Sequence, residues 1–293
     1  MRPSDITIHE KIHTSMAHLS PSEQRLAKVL LASYPSAGLK SVAELAARAQ
    51  VSGATVVRFV RHLGFDGFPA FQHSLHEEVQ QRAASPLQMY ESHQGDTGER
   101  APHAALPLLE KGLRQTFERT SAEEISQVVA LLTDPSRRIL CTGGRFSDIL
   151  AQYLRNHLHQ LRERVEYVAP GEGRADLLLD IGKRDVVVMF DCRRYQPDTV
   201  RFARGCRQRG ATVVLITDPW LSPVAEVSKH ILMCDVEGLS LYDSFVPTMA
   251  LLEWLVAEIV RTLGDTARAR IEKLEQTRHE QMIFRTQPVA RPD

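Results

Sequence analysis

Residues 41–65 read SVAELAARAQVSGATVVRFVRHLGF, and two helix starts lie within them. Ser41-Val42-Ala43-Glu44 is an S-x-x-E box, in which the serine hydroxyl takes the third amide and the glutamate returns a bond to the serine. Ser52 opens a second helix, because Thr55, Val56, Phe59, Val60 and Leu63 fall at spacings of one, three and four and put apolar bulk on one face; Gly64 ends it. A helix of about eight residues, a tight turn at Gln50-Val51-Ser52 and a second capped helix have the proportions of a helix-turn-helix. Between Ala47 and Phe65 the ionised side chains are Arg48, Arg58 and Arg61, with no acid among them. Ser52, Thr55 and Arg58 follow at intervals of three and are expected to share the face opposite the apolar stripe. Hydroxyls there bond phosphate or base edges, and an arginine forks onto guanine. The residues expected to contact DNA are therefore Arg48, Ser52, Thr55, Arg58 and Arg61. The same face also suits a solvated helix of a small bundle, and these residues alone do not choose between the two.

Outward from this segment, Ser20-Pro21-Ser22-Glu23 is another capping box, with Pro21 at the first helical position. Residues 1–78 carry only helical signals and are expected to form an all-α head. The following stretch, QQRAASPLQMYESHQGDTGERAPHAA, is rich in polar residues and breakers, so residues 79–104 read as a linker with room for helical turns at each end. Beyond it, short β-branched runs at 138–142, 165–168, 186–190, 212–217 and 230–234 alternate with helical stretches. Two of the runs are apolar throughout, the pattern of parallel strands covered on both faces, so residues 105–266 are predicted to be an α/β three-layer domain. A long helix is expected over 243–263, stopped by Gly264, and residues 267–293 are expected to be a charged helical tail.

The chain has 293 residues, 43% hydrophobic and 25% charged, with 36 basic and 36 acidic side chains. At zero formal charge, contact with nucleic acid must come from a local patch. The N-terminus, MRPSDITIHEKIH, lacks the apolar core of a signal peptide, and no run approaches the ~18 apolar residues of a membrane span. Four cysteines without CxxC spacing read as reduced core residues of a cytoplasmic protein. His157 and His159 fall on different helix faces. His73, His76 and Glu77 have workable metal spacing but suit a solvated helix face better. No metal or cofactor is expected, and no G-x-S-x-G nucleophile motif is present.

The candidate ligand loops follow the first and third strands. Gly143-Gly144-Arg145-Phe146-Ser147 joins a strand to a helix, so free amides and a helix N-terminus favour an anion there. It matches neither G-x-G-x-x-G nor a G-K-[ST] loop. The second loop, Phe190-Asp191-Cys192-Arg193-Arg194-Tyr195-Gln196-Pro197-Asp198-Thr199, also leaves a buried strand for a helix. If the two strands are neighbours, Arg145, Arg193 and Arg194 are expected to face one crevice. Asp191 balances one of them at most, so an anionic metabolite is expected to complete the site, with Ser147 and the amides of 144–147 as further donors. Tyr195 either stacks on that ligand or lies at the surface. Tyr242-Asp243-Ser244 reads as the N-cap of the long helix in preference to an effector contact.

Residues 20–35 and 41–75, and most specifically LA…VS-x-ATVVRF…LGF-x-GF, resemble the N-terminal domain of the RpiR family of bacterial transcriptional regulators. One departure is Gln50, where that family commonly has glycine. Residues 105–265, including RGATVVLITDPWLSPVAEVSKHIL, resemble the sugar isomerase (SIS) domain that follows the helix-turn-helix in that family. The resemblance implies a DNA-binding regulator, not an enzyme, that acts as a homodimer or higher homo-oligomer joined through the α/β domain and senses a sugar phosphate or organic acid. SIS ligand loops usually read G-x-G-x-S and S-x-S-G-x-[ST]. Gly143, Ser147 and Thr199 carry over, whereas Asp191 and Arg193 replace the two hydroxyl residues and Arg145 and Arg194 stand where the pattern has glycine. The effector contacts expected on this basis are Gly143, Gly144, Arg145, Ser147, Arg193, Arg194 and Thr199. Two rival readings are a phosphosugar isomerase, whose base would have to be Glu237 or His230, and a protein-binding regulator without DNA.

Overall fold

A computed structural model describes residues 7–32, 34–83, 90, 102–240 and 242–286. The chain divides into two compact units at residues 97 and 98. In the first, the helices α1 (Ile8–Ser15), α2 (Pro21–Ala32), α3 (Val42–Ala49), α4 (Gly53–His62) and α5 (Phe68–Ala83) close on a core of Ile8, Ile12, Leu26, Leu45, Val56, Phe59 and Phe71. The boxes predict the starts of α2 and α3: the Glu23 carboxylate accepts from the Ser20 amide at 3.0 Å, and the Ser41 and Glu44 bonds form in both directions. Thr7-Ile8-His9-Glu10 is a further T-x-x-E box that starts α1. Helix continues into both ends of the stretch read as a linker, since α5 runs to Ala83 and α6 (Pro102–Arg119) opens the second unit. Residues 84–89 and 91–101, most of that stretch, lie outside the described residues.

The second unit continues with α7 (Ala122–Thr133), β1 (Arg138–Gly143), α8 (Asp148–Leu161), β2 (Val165–Tyr167), α9 (Gly173–Leu177), β3 (Asp185–Asp191), α10 (Pro197–Gln208), β4 (Thr212–Thr217), β5 (His230–Met233), α11 (Val246–Leu263) and α12 (Asp265–Thr286). The strands form one parallel sheet in the order β2-β1-β3-β4-β5, with Leu140 beside Val187, Val188 beside Val214 and Ile216 beside Leu232. Alternate residues of β3 feed the two faces. Val186, Val188 and Phe190 pack toward Leu150, Leu154, Leu251 and Leu255, while Val187 and Met189 pack toward Phe202, Cys206 and Val224. That double burial is why β3 is apolar from Val186 to Phe190. The long helix begins at Val246, and its N-cap residue Phe245 makes no side-chain capping bond. The expected start at Asp243 is thereby corrected, because the Asp243 carboxylate is drawn to arginines of the β3 loop. Strand order reverses between β1 and β3, and α8 and α10 leave that point for opposite faces, which is where sheets of this kind place a ligand crevice at the strands' carboxyl ends.

Candidate functional site

In the first unit, the turn between α3 and α4 is made by Gln50 in the left-handed region, φ 52° and ψ 49°, with the Val51 amide bonded back to the Ala46 carbonyl at 3.0 Å. Ser52 caps α4 by accepting from the Thr55 amide at 3.2 Å. Thr55 is 9% exposed, and its hydroxyl lies 2.9 Å from that of Ser52. The expectation that Ser52, Thr55 and Arg58 share one outward face is therefore corrected. Ser52 is the N-cap, with extended backbone outside the helix, so the spacing of three does not carry its outward direction to Thr55, whose side chain turns in beneath the cap. The exposed face of α4 carries Ala54, Arg58, Arg61 and His62, with Arg48 exposed on α3. Arg58 reaches the buried Glu23 of α2 at 3.3 Å while its side chain stays 57% exposed, and His62 meets the same carboxylate oxygen at 2.9 Å. Burial pushes the Glu23 carboxyl up, but hydrogen bonds from Ser20 and Arg58 and the charge of His62 outweigh it and hold the group below the usual carboxylate range. Arg61 donates to the Asp66 carbonyl at 3.4 Å. The result is a capped helix that presents two guanidinium groups, each steered by its own scaffold contact.

In the second unit the crevice is built from three loops. At the end of β1, a Cβ on Gly143 would stand 2.6 Å from the backbone of Asp148, so the entry into α8 admits no side chain there. The Ser147 hydroxyl donates to the Phe190 carbonyl at 2.7 Å and accepts from the Gly144 amide at 3.0 Å. Ser147 and the Gly144 amide thus staple the first loop to β3, which corrects the expectation that both are free donors. Arg145 is exposed and lies 5.3 Å over the Phe146 ring.

Beyond β3, Asp191 is 2% exposed and accepts from the Ser222 hydroxyl. Burial pushes its carboxyl up to about 7. Asp218, at the end of β4, is buried and pushed up in the same way; it accepts from the Arg193 amide, from the Tyr195 hydroxyl at 2.6 Å and from the Trp220 amide at 2.9 Å. Tyr195 is therefore a strut of the loop. Arg193 and Arg194 both stand in the left-handed region, φ 30° and 54°, and share one carboxylate. Arg193 Nε lies 3.1 Å from Asp243 Oδ1, and Arg194 Nη2 lies 3.4 Å from Asp243 Oδ2. The Arg193 guanidinium also covers the Trp220 ring at 4.4 Å. The expected crowd of uncompensated cations is corrected by this pairing, since the chain supplies its own anion from the segment after β5.

Arg174 on α9 is a site residue that sequence reasoning missed. It is 4% exposed and donates to the Thr142 hydroxyl at 2.7 Å and the Gly143 carbonyl, while its other terminal nitrogen lies 3.3 Å from both Asp198 and the Thr199 hydroxyl. Thr199 thus joins the crevice through Arg174. The two bases weighed for an isomerase are each held in an ion pair. His230 stands at the amino end of β5 against Glu124 at 3.1 Å, and Glu237 pairs with Lys111 at 3.1 Å. Burial pushes the thiols of Cys141, Cys206 and Cys234 up to about 12, so they act as core side chains. Among the described residues no cluster of histidine, cysteine or carboxylate could hold a metal ion, and no helix is long and apolar enough to cross a membrane.

Comparison with known proteins matches residues 6–82 to the helix-turn-helix domain of the rpiR family and residues 131–258 to the SIS domain. The HTH-type transcriptional regulator HexR of Escherichia coli (strain K12) is 27% identical over 265 residues, covering 88% of each chain. The sugar isomerase domain of an RpiR transcription factor from Sphaerobacter thermophilus is 25% identical, with a TM-score of 0.57, and covers 61% of this chain and 99% of that one. Vibrio vulnificus NanR, solved in complex with ManNAc-6P, shares the fold over 91% of this chain and 96% of its own at 18% identity and a TM-score of 0.53. With the rpiR-type head on one side and the SIS sheet on the other, in the order the motifs implied, the chain belongs to the RpiR family of helix-turn-helix transcriptional regulators.

Proposed function

We propose that this regulator works in the cytoplasm, binds double-stranded DNA through α3 and α4, and adjusts its operator affinity to a small anionic metabolite, a sugar phosphate or an organic acid, bound at the crevice between β1 and β3. The observation that carries the reading is the pairing, in one chain, of an exposed arginine face on a capped second helix with an arginine pair at a sheet's switch point. In the head, Arg58 reads bases, Arg61 and Arg48 grip phosphate, Ser52 contributes the exposed cap, and Thr55 supports that cap. In the sensor, Gly143 and Gly144 allow close approach to backbone. Arg193 and Arg194 supply the charge, Arg145 closes the rim, and Ser147 and Thr199 hold the loops in place.

The proposed division is a head over 1–78, a linker over 79–104, a sensing and dimerising domain over 105–266 and a helical tail over 267–293. A single head offers few base contacts, so the working unit is a homodimer joined through the α/β domain on an inverted repeat. A ligand that prefers one arrangement of the paired sensors then changes operator affinity by linkage. An isomerase reading has less support, because His230 stands at the amino end of β5 and Glu237 is paired with Lys111. The test is to sequence the genomic fragments that the purified full chain retains, then to repeat the binding with sugar phosphates and organic acids. Enrichment of an inverted repeat whose retention responds to one of these compounds is expected; retention without sequence preference overturns the reading.

A further inference from the structure

The arginine pair of the β3 loop is occupied from within the chain, and the occupant belongs to a segment with a second attachment. Asp243 lies in the connection from β5 to α11. Its carboxylate is 11% exposed and stands against Arg193 and Arg194, whose guanidinium groups the consecutive left-handed residues aim at one point. Strain of this kind in non-glycine residues is typical of ligand clamps.

The same connection folds into a closed loop. The Ser244 amide donates to the Val236 carbonyl at 3.1 Å, and Gly238 sits so close to the Tyr242 carbonyl that a Cβ would fall 2.2 Å from its oxygen. The loop's other end is clamped to α6. The Asp235 amide donates to the Thr116 hydroxyl at 2.9 Å, its carboxylate lies 3.6 Å from Arg119, and Glu237 lies 3.1 Å from Lys111. Gly112 of α6 presses on this segment without a side chain; a Cβ there would lie 3.1 Å from Pro247 and 3.4 Å from Asp235. Helix α6 is the first helix of the second unit, and residues 84–101 lead to it from the head.

We propose that Asp243 is a built-in counter-ion that competes with the anionic effector for Arg193 and Arg194, and that the contacts of 235–238 with 242–244 pass the exchange to α6. The inference rests on the reading of the arginine pair as the effector's anion site. Asp243 faces one nitrogen of each guanidinium, and a phosphate or carboxyl ligand needs the charge and donors of the same two groups, so one competes with the other. Apparent affinity is lowered by the fraction of molecules in which Asp243 holds the site. Because the loop is closed on itself, release of Asp243 frees a body that also carries Asp235 and Glu237, and the contacts of α6 change with it.

Trp220 provides the readout, since Arg193 stacks on it and the chain has two tryptophans. In the full chain carrying Trp254→Phe, Trp220 fluorescence is titrated with inorganic phosphate at constant ionic strength, and amide exchange is followed over 102–119 and 235–245. Asp243→Asn is expected to shift the emission before any phosphate is added, to tighten phosphate binding at least tenfold, and to speed exchange in both segments as phosphate does in the parent. Asp243→Ser serves as the second variant. Phosphate affinity unchanged in both variants, with the parent's response abolished by Arg193→Gln, overturns the competition and leaves the anion site standing. A response indifferent to Arg193→Gln and Arg194→Gln, or no saturable response in either the parent or Asp243→Asn, overturns the anion site itself. Tighter binding with parental exchange in 102–119 overturns the link to α6.

Discussion

Arg58 and Arg61 are three residues apart on α4, yet their scaffold contacts give them different work. Arg58 is held by Glu23 of α2, which fixes where its fork points, whereas Arg61 touches the backbone carbonyl of Asp66 beyond the helix end. Arg58→Ala should therefore cost ~1–3 kcal/mol of operator binding and relax preference at one base position. Arg61→Ala should weaken all sequences alike and reduce the salt slope by about one phosphate contact. Binding isotherms on the selected operator and on scrambled DNA, each at several salt concentrations, separate the two; equal losses on both DNAs for both variants would place Arg58 on phosphate as well. A second residue sets the pH response. Asp191 is buried and its carboxyl is pushed up to about 7, so between about pH 4 and 7 the folded chain keeps a proton that the unfolded chain has lost. The native state binds more protons in that window, and stability falls as pH rises through it and levels off above. Asp218 is pushed the same way and adds to the same limb, so the informative quantity is the difference between the parent and Asp191→Asn. Urea midpoints from pH 4.5 to 8 should show a decline on the order of a few kcal/mol that the variant reduces. Identical slopes would mean that Asp191 is ionised in the folded chain throughout.

Among the elements, the glycine turn after β1 is where backbone approach matters most. A Cβ on Gly143 meets the backbone of Asp148 at 2.6 Å, which cannot give way, whereas one on Gly144 meets the Ser147 hydroxyl at 3.3 Å and an Asp191 oxygen at 3.5 Å, both side-chain atoms. Gly143→Ala should therefore destabilise the second unit by ~1–3 kcal/mol, while Gly144→Ala should fold near normally and disturb effector binding instead. Thermal unfolding together with a ligand-shift assay distinguishes them, and equal stability losses would show that the turn has no such asymmetry. The central strands were legible because double burial writes itself as an apolar run, as at Val186–Phe190, the half-buried edge strands only as short β-branched runs, and the helix-turn-helix because capping boxes are local in sequence. Features whose partners come from distant elements were not legible. Arg174 gathers groups from β1 and α10, and Asp243 serves the β3 loop, so neither has a spacing that announces its role. Tyr242-Asp243-Ser244 acts as a cap only through Ser244, whose hydroxyl accepts from the Val246 amide at 3.3 Å, because a pair of guanidinium groups offers the Asp243 carboxylate more than helix amides do. Thr7-Ile8-His9-Glu10, by contrast, was readable by the same rule that found Ser41 and Glu44.

For the whole molecule, a zero formal charge sets the terms of DNA binding. Net charge supplies no long-range attraction, so the proposed dimer has to draw its affinity from the arginine face of each head and from having two heads at once. A dimer on an inverted repeat with half-sites about one turn, roughly 34 Å, or a multiple apart follows from that requirement. Analytical ultracentrifugation with footprinting checks it; a monomer protecting one unrepeated site would refute it. In the proposed dimer, regulation is also reciprocal. If the effector changes operator affinity by some factor, operator DNA must change effector affinity by the same factor, because both ligands draw on one equilibrium between arrangements. Asp243 allows this to be measured without a second ligand in the tube. Asn at that position removes the internal competitor, so the variant should show the operator affinity that the effector-saturated parent shows, and further effector should change it little. Gel-shift titrations of the parent and Asp243→Asn, each with and without saturating effector, close the cycle on four affinities. A variant that still responds to effector by the parent's full factor would mean that the arginines bind the metabolite but that some other contact carries the message to the heads.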